Sequence, residues 1–181
     1  MYRLLLASIL LVLPLGALAR DWQADPAQST LTFTGSYDGE SFDGKFRTFT
    51  STIRYDPADL AAASFDVTVD TASVTTSNDE RDESLTGSDF FDIAKFPKAR
   101  FLTQSFTAGA DGGVTAQGTL TIRDQSKPVS LKVVFKQSGD SATLDVQTTL
   151  KRVDFGLGAG SDWSDVGPDV AVKGHLVLKA R

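Results

Sequence analysis

The chain has 181 residues, with 18 Lys and Arg against 23 Asp and Glu, a formal charge of −5, one histidine and no cysteine. That balance repels a nucleic-acid duplex or an anionic membrane face overall. The absence of cysteine excludes disulfides and thiolate-held metal or haem, a single histidine gives no imidazole cluster for zinc or copper, and the length suits one domain with a core of its own.

In chain order, Met1-Tyr2-Arg3, the apolar run Leu4 to Leu15, and Ala17-Leu18-Ala19 have the order of a charged, a hydrophobic and an A-x-A cleavage region. Residues 1–19 are therefore expected to be an export signal cleaved after Ala19. The run is shorter than the roughly 20 residues a spanning helix needs. The mature chain, residues 20–181, is expected as a soluble, not membrane-spanning, periplasmic protein, with secretion as the alternative. With Arg3 removed it carries 17 basic against 23 acidic residues, a formal charge of −6.

Beyond the signal, apolar residues alternate with Thr, Ser, Asp and Lys at period two, the pattern of half-buried antiparallel strands. The inward parities run through Leu31 and Phe33; Phe49, Ile53 and Tyr55; and Phe65, Val67 and Val69. They continue through Val114, Ala116, Gly118, Leu120 and Ile122; Val129, Leu131, Val133 and Phe135; Ala142, Leu144, Val146 and Leu150; and Val170, Val172, Leu176 and Leu178. Tyr37-Asp38-Gly39, Asp111-Gly112-Gly113 and Ser138-Gly139-Asp140 fall where reversals are needed, and Asp56-Pro57 ends another strand. Asp124 to Pro128, with turn formers and a strand-breaking proline, is read as the turn joining Val114–Arg123 to Val129–Lys136. About eight antiparallel strands with short turns predict an all-β barrel, because closure leaves no unpaired edge. Ala116, Gly118 and Gly174 on inward parities point to a cavity inside it.

One region breaks the rhythm. Ser77 and Glu80 have capping-box spacing, and Asp79-Glu80 suits a helix N-terminus, so a short helix is expected over Ser77 to Leu85. Phe90, Phe91 and Phe96 follow, too dense an aromatic cluster to leave in water. They are expected to fold across one barrel end as a lid.

Several segments together resemble the YceI family. They are Trp22-Gln23-Ala24-Asp25-Pro26-Ala27-Gln28-Ser29; Ala72-Ser73-Val74-Thr75-Thr76 with Arg81-Asp82 and Leu85; and Asp89-Phe90-Phe91-Asp92 with Phe96-Pro97-Lys98-Ala99-Arg100-Phe101. Gly118-Thr119-Leu120-Thr121-Ile122 with Lys127-Pro128-Val129, and Arg152-Val153-Asp154-Phe155-Gly156, complete the set. The resemblance spans nearly the whole mature chain. It implies a lipocalin-like antiparallel barrel, usually periplasmic, whose elongated interior holds a polyisoprenoid or similar long-chain lipid. Two departures stand out: Ser84 where the family commonly has histidine, and Asp124 where it commonly has glycine. The first removes any headgroup or protonation role carried by that histidine in relatives.

On this reading Phe33, Phe49, Phe65, Val67, Phe101, Leu120, Ile122, Leu131, Val133 and Phe135 line the interior and touch a lipid tail. Arg81, Asp82, Arg152 and Asp154 either hold a prenyl phosphate or quinone oxygen at the mouth or tie loops to nearby backbone. The acidic group Asp79, Glu80, Asp82 and Glu83 lacks the alternating calcium-loop pattern and reads as a solvated helix face, so no metal and no cofactor beyond a bound lipid is expected. His175 lies in a strand and is expected to point outward, which leaves nucleophilic catalysis without a base and argues against an enzyme. The leading expectation is a carrier for a long-chain isoprenoid lipid or quinone. A small exported enzyme acting on a lipid-like substrate and a solid-core interaction module are the alternatives, and pairing of two barrels as a homodimer is left open.

Overall fold

The computed structural model describes residues 19–110 and 112–181, so the expected export signal lies outside the described residues except for Ala19. Eleven strands pair without exception antiparallel: β1 Arg20–Ala24, β2 Thr30–Tyr37, β3 Glu40–Phe46, β4 Phe49–Tyr55, β5 Ser64–Asp70, β6 Val74–Thr75, β7 Lys98–Ala108, β8 Val114–Ile122, β9 Gln125–Ser138, β10 Ser141–Lys151 and β11 Asp169–Ala180. Eight close a ring in the order β1-β4-β5-β7-β8-β9-β10-β11, because β1 pairs with β4 on one edge and β11 on the other. The other three form a wing. One edge of the long β11 serves β1 through Leu178–Ala180 and β2 through Ala171–His175, and β2 carries β3 and then β6. No helix among the described residues is long and apolar enough to cross a membrane.

Alternation places most strands, and its failures have local causes. In β8, Ala116 and Ile122 are buried as expected. The following reversal is tighter than Asp124 to Pro128: it is the two residues Arg123-Asp124, with Arg123 at φ 56°, and Pro128 sits inside β9 opposite Thr119. Counting from that two-residue turn, Thr119 and Pro128 form a non-hydrogen-bonded pair, where the missing N–H would have pointed away from β8. The ladder to β10 stops at Gln147 opposite Lys132, so β10 asks Pro128 for no bond either. In β7 the register shifts between Thr103 and Ser105. This bulge lets Phe101 and Phe106, five positions apart, both face the interior, which hides the strand from a period-two reading.

The helix α1 runs Asp79–Thr86, and its cap is Asn78, whose side chain accepts from the Arg81 N–H. Ser77 does not cap, because it occupies the left-handed region at φ 59° and lies one residue too early.

Candidate functional site

The barrel interior divides into two levels. Around the β9–β10 turn the inward residues are packed solid: Trp22, Ile53, Tyr55, Phe65, Val133, Leu144 and Leu178 are all buried in one cluster. Its aromatic rings interlock, with Tyr55 and Phe135 centroids 4.9 Å apart, Phe65 and Phe106 4.9 Å, and Trp22 and Phe135 5.4 Å. The Trp22 indole N–H donates to the Tyr55 carbonyl at 2.9 Å, which satisfies the one polar atom of the ring.

Above this level lies a cavity of about 220 Å³ with an almost wholly apolar lining. Of the residues expected to line it, Phe33, Val67, Phe101, Leu120, Ile122 and Leu131 do. Phe65, Val133 and Phe135 share the inward parity but lie one level lower, in the packed cluster. Phe49, at the start of β4 opposite Val69, lies outside both the cavity lining and the two core clusters. Parity tells inside from outside, but not the level along the barrel axis. The lining that the sequence reading missed comes chiefly from β3 and the closing turns, with Phe42, Phe46, Phe155 and Leu157 its largest members. Phe42 and Phe46 stand four apart on one face of β3, a signal that was present but fell in a strand rich in polar residues.

The small inward residues do not open the cavity. A Cβ on Gly118 would lie 2.5 Å from the Leu102 carbonyl oxygen and 2.7 Å from the Phe101 ring, so glycine there is the seat of Phe101. Ala116 is fully buried in the packed level, and a Cβ on Gly174 would meet Val146 at 2.9 Å.

Two segments close the upper end. Phe90 and Phe91 are buried and line the cavity together with Leu85 of α1. Phe96 is half-buried and lies outside the cavity, with the Arg123 guanidinium 5.7 Å from its ring centre. The second segment, residues 152–167, is fastened to the first. Gly158 N–H donates to the Asp89 carbonyl, Trp163 Nε1 donates to the Asp89 carboxylate at 3.0 Å, and the Phe90 and Trp163 rings meet edge-on at 4.8 Å. Arg123 joins both, donating to the carbonyls of Phe90 at 3.1 Å and Gly156 at 3.0 Å.

Of the charged residues singled out from the motifs, Arg152 and Asp82 take up fixing contacts. Arg152 is buried and spends all five guanidinium N–H groups on carbonyls: Nε on Gly167, Nη1 on Leu157 and Gly158, and Nη2 on Trp163 and Val166. Burial lowers its pKa from the ordinary guanidinium value. Arg81 lies over the outer face of Phe42 at 4.1 Å, Asp154 is exposed, and neither lines the cavity. His175 is on the outer face of β11, paired with Asp145 at 2.6 Å. Among the described residues no group of three or more His, Asp or Glu is placed to hold a metal.

Asp82 accepts from the backbone N–H and the hydroxyl of Thr76, both at 2.7 Å, and so ties α1 to the end of β6. Burial pushes its pKa up, but hydrogen bonds from Thr76 and Thr75 and the charge of Arg47 outweigh that, and the net value lies below the usual carboxylate range. A depressed folded pKa stabilises the fold above the unfolded value near 4, and that stabilisation is lost as pH falls through the folded value. Asp82→Asn is therefore expected to destabilise by about 1 kcal/mol at neutral pH. In denaturant titrations from pH 7 to pH 2 the difference from wild type should shrink at the acid end; a constant difference would contradict the assignment.

Comparison with known proteins places this geometry. The YceI-like domain family matches residues 22–178. A UPF0312 protein of Shewanella sp. (strain W3-18-1) is 32% identical over 180 residues, covering 93% of this chain and 94% of its own. The crystal structure of BcnA from Burkholderia cenocepacia superposes with a TM-score of 0.81 at 28% identity, covering 86% of this chain and 99% of that one. A polyisoprenoid binding domain from Saccharophagus degradans, implicated in plant cell wall breakdown, has the same fold at 20% identity, with a TM-score of 0.67 over 91% of this chain and 100% of that one.

Proposed function

The chain belongs to the YceI-like family, and from that premise we propose that it holds the apolar tail of an isoprenoid-type lipid inside its barrel and carries it in the periplasm without chemistry of its own. The observation that carries this reading is the apolar cavity lined by residues such as Phe33, Phe101, Leu120, Ile122 and Leu131. Water gains little in such a space, whereas each buried CH₂ of a tail contributes about 0.8 kcal/mol. Headgroup choice is expected to be loose, so a prenyl phosphate and a quinone are both candidates: of the two arginines in the lining, Arg152 has no N–H left to offer and Arg100 is paired with the Asp66 carboxylate. A solid-core interaction module would have no use for the cavity. An enzyme would need a reactive group in it, and the polar lining supplies only Ser36, Thr148 and two arginines.

Thermal unfolding with and without a prenyl alcohol tests the reading. A ligand at about a hundred times its dissociation constant stabilises by about 2.7 kcal/mol, which in a domain of this size raises Tm by roughly 5–10 °C. An unchanged Tm across prenyl alcohols, with the protein folded, would sink the reading.

A further inference from the structure

One outer face of the barrel carries cations that the fold leaves unpaired. The register sets Lys132 of β9 beside Gln147, Gln147 beside Lys173, Lys173 beside Thr32 and Thr32 beside Lys45, one row across β9, β10, β11, β2 and β3. Strands stand about 4.8 Å apart, so the three lysines recur roughly every 10 Å. Val134, Asp145, His175 and Thr30 form the next row. A surface hollow spanning the two rows is lined by Thr30, Thr32, Lys132, Gln147, Lys173 and His175. Over all outward positions of these strands, Lys45, Lys132, Lys136, Lys151, Lys173 and Lys179 stand against Asp43, Asp145 and Asp169. Asp145 is taken by His175 at 2.6 Å and Asp169 by Lys151 at 3.3 Å. Lys45, Lys132, Lys136 and Lys173 have no ion pair among the described residues, whereas Lys98 and Arg100 of β7 are paired with Asp70 and Asp66 of β5 on another face. The surplus belongs to this face alone, since the chain as a whole carries −5.

The same face contains a break in the cavity wall. Between β9 and β10 the ladder stops at Lys132 and Gln147, although β9 reaches back to Gln125 and β10 runs on to Lys151. Pro128 of β9 has no N–H with which to continue the ladder. Val129 and Leu131 on one side of the break, and Thr148 and Leu150 on the other, line the cavity. The wall is therefore unlaced at the level of the cavity, and the seam meets the outer face between Lys132 and Lys151.

We infer that this face docks on an anionic phospholipid bilayer and turns the β9–β10 seam toward it as the lipid's way in. The lysines and the amide and hydroxyl groups of the hollow suit phosphate oxygens, and Val134, 51% exposed among them, offers apolar contact. The net negative charge does not forbid it: at physiological ionic strength charges are screened beyond about 8 Å, so a patch in contact feels the surface it touches more than the far side of the barrel. The choice of a bilayer rests on the reading that the cavity holds an isoprenoid tail, because a lipid that crosses the seam comes from a membrane. A nucleic acid would meet the lysines but has no use for Val134 or for a seam leading to an apolar space.

The test is co-sedimentation of the wild-type protein, with no isoprenoid added, on vesicles of phosphatidylcholine alone and of phosphatidylcholine mixed equally with phosphatidylglycerol. Binding is expected on the mixed vesicles at low salt and not on the neutral ones, and it should disappear at about 1 M salt, where the screening length falls to about 3 Å. Each lysine near an anionic surface strengthens binding about fivefold, so Lys132→Glu combined with Lys173→Glu should weaken it about 25-fold or more. Arg54→Glu combined with Lys98→Glu makes the same change of charge on the outer faces of β4 and β7 and should cost less than about fivefold. Circular dichroism checks that both variants fold. No binding to the mixed vesicles, or equal losses for the two variants, would overturn the docking face and leave the prenyl alcohol test of the carrier reading untouched. Duplex DNA bound more tightly than the mixed vesicles would overturn the choice of a bilayer.

Discussion

Replacing Arg152 with methionine is expected to destabilise the protein by about 4 kcal/mol or more, the largest effect of any single polar substitution in the chain. Five carbonyls, on Leu157, Gly158, Trp163, Val166 and Gly167, converge on its guanidinium. Methionine keeps the bulk of the side chain and offers none of them a donor. Each orphaned buried carbonyl costs about 1–3 kcal/mol unless water reaches it. Lysine retains the charge but has only three donors on a point ammonium, against a planar fork of five, so Arg152→Lys should lose about half as much. The damage should be local first, in residues 152–167, and then reach the cavity through Phe155 and Leu157, which line it. Urea unfolding of the three proteins measures this, and hydrogen exchange locates it. A loss below about 1 kcal/mol for Arg152→Met would mean that the carbonyls find other partners and that Arg152 does not hold the closing turns.

The strand framework was legible because seven of the eleven strands alternate cleanly, and a half-buried sheet imposes that alternation on its sequence. β1, β3, β6 and β7 show no clean alternation, for separate reasons. β1 and β6 are too short to show a period, at five and two residues. β3 is interrupted by Gly44 and polar neighbours, and β7 changes parity at its bulge. The lining was legible as a parity and illegible as a depth. Phe65 and Val67 read identically in sequence, yet one is in the packed level and the other in the cavity wall. Gly118 misled for a related reason: a small inward residue signals either empty space or a close neighbour, and here the neighbour is the Phe101 ring. Arg152 was visible as a motif residue. Its role depends on carbonyls up to 15 positions away, which no local pattern encodes.

Val172→Trp is expected to fold and to lose tail binding by about a hundredfold or more, because several CH₂-sized contacts are replaced by the protein's own ring. Val172 is half-buried on the cavity wall, paired with Phe33 of β2 and Thr148 of β10. A ring added there enters space that is already free, so the stability change should stay within about 1 kcal/mol. The same substitution at Leu144, in the packed level, should cost the usual penalty of overpacking, about 1–3 kcal/mol or more. The contrast between the two positions separates a cavity from a core.

The central claim, that the upper half of the barrel is the lipid site, is tested most directly by mass spectrometry of organic extracts from the wild-type and Val172→Trp proteins purified from the native host. The account predicts an isoprenoid lipid in near-equimolar amount with the wild type and its loss from the folded variant. An extract without isoprenoid, or the same lipid recovered equally from both proteins, would contradict it.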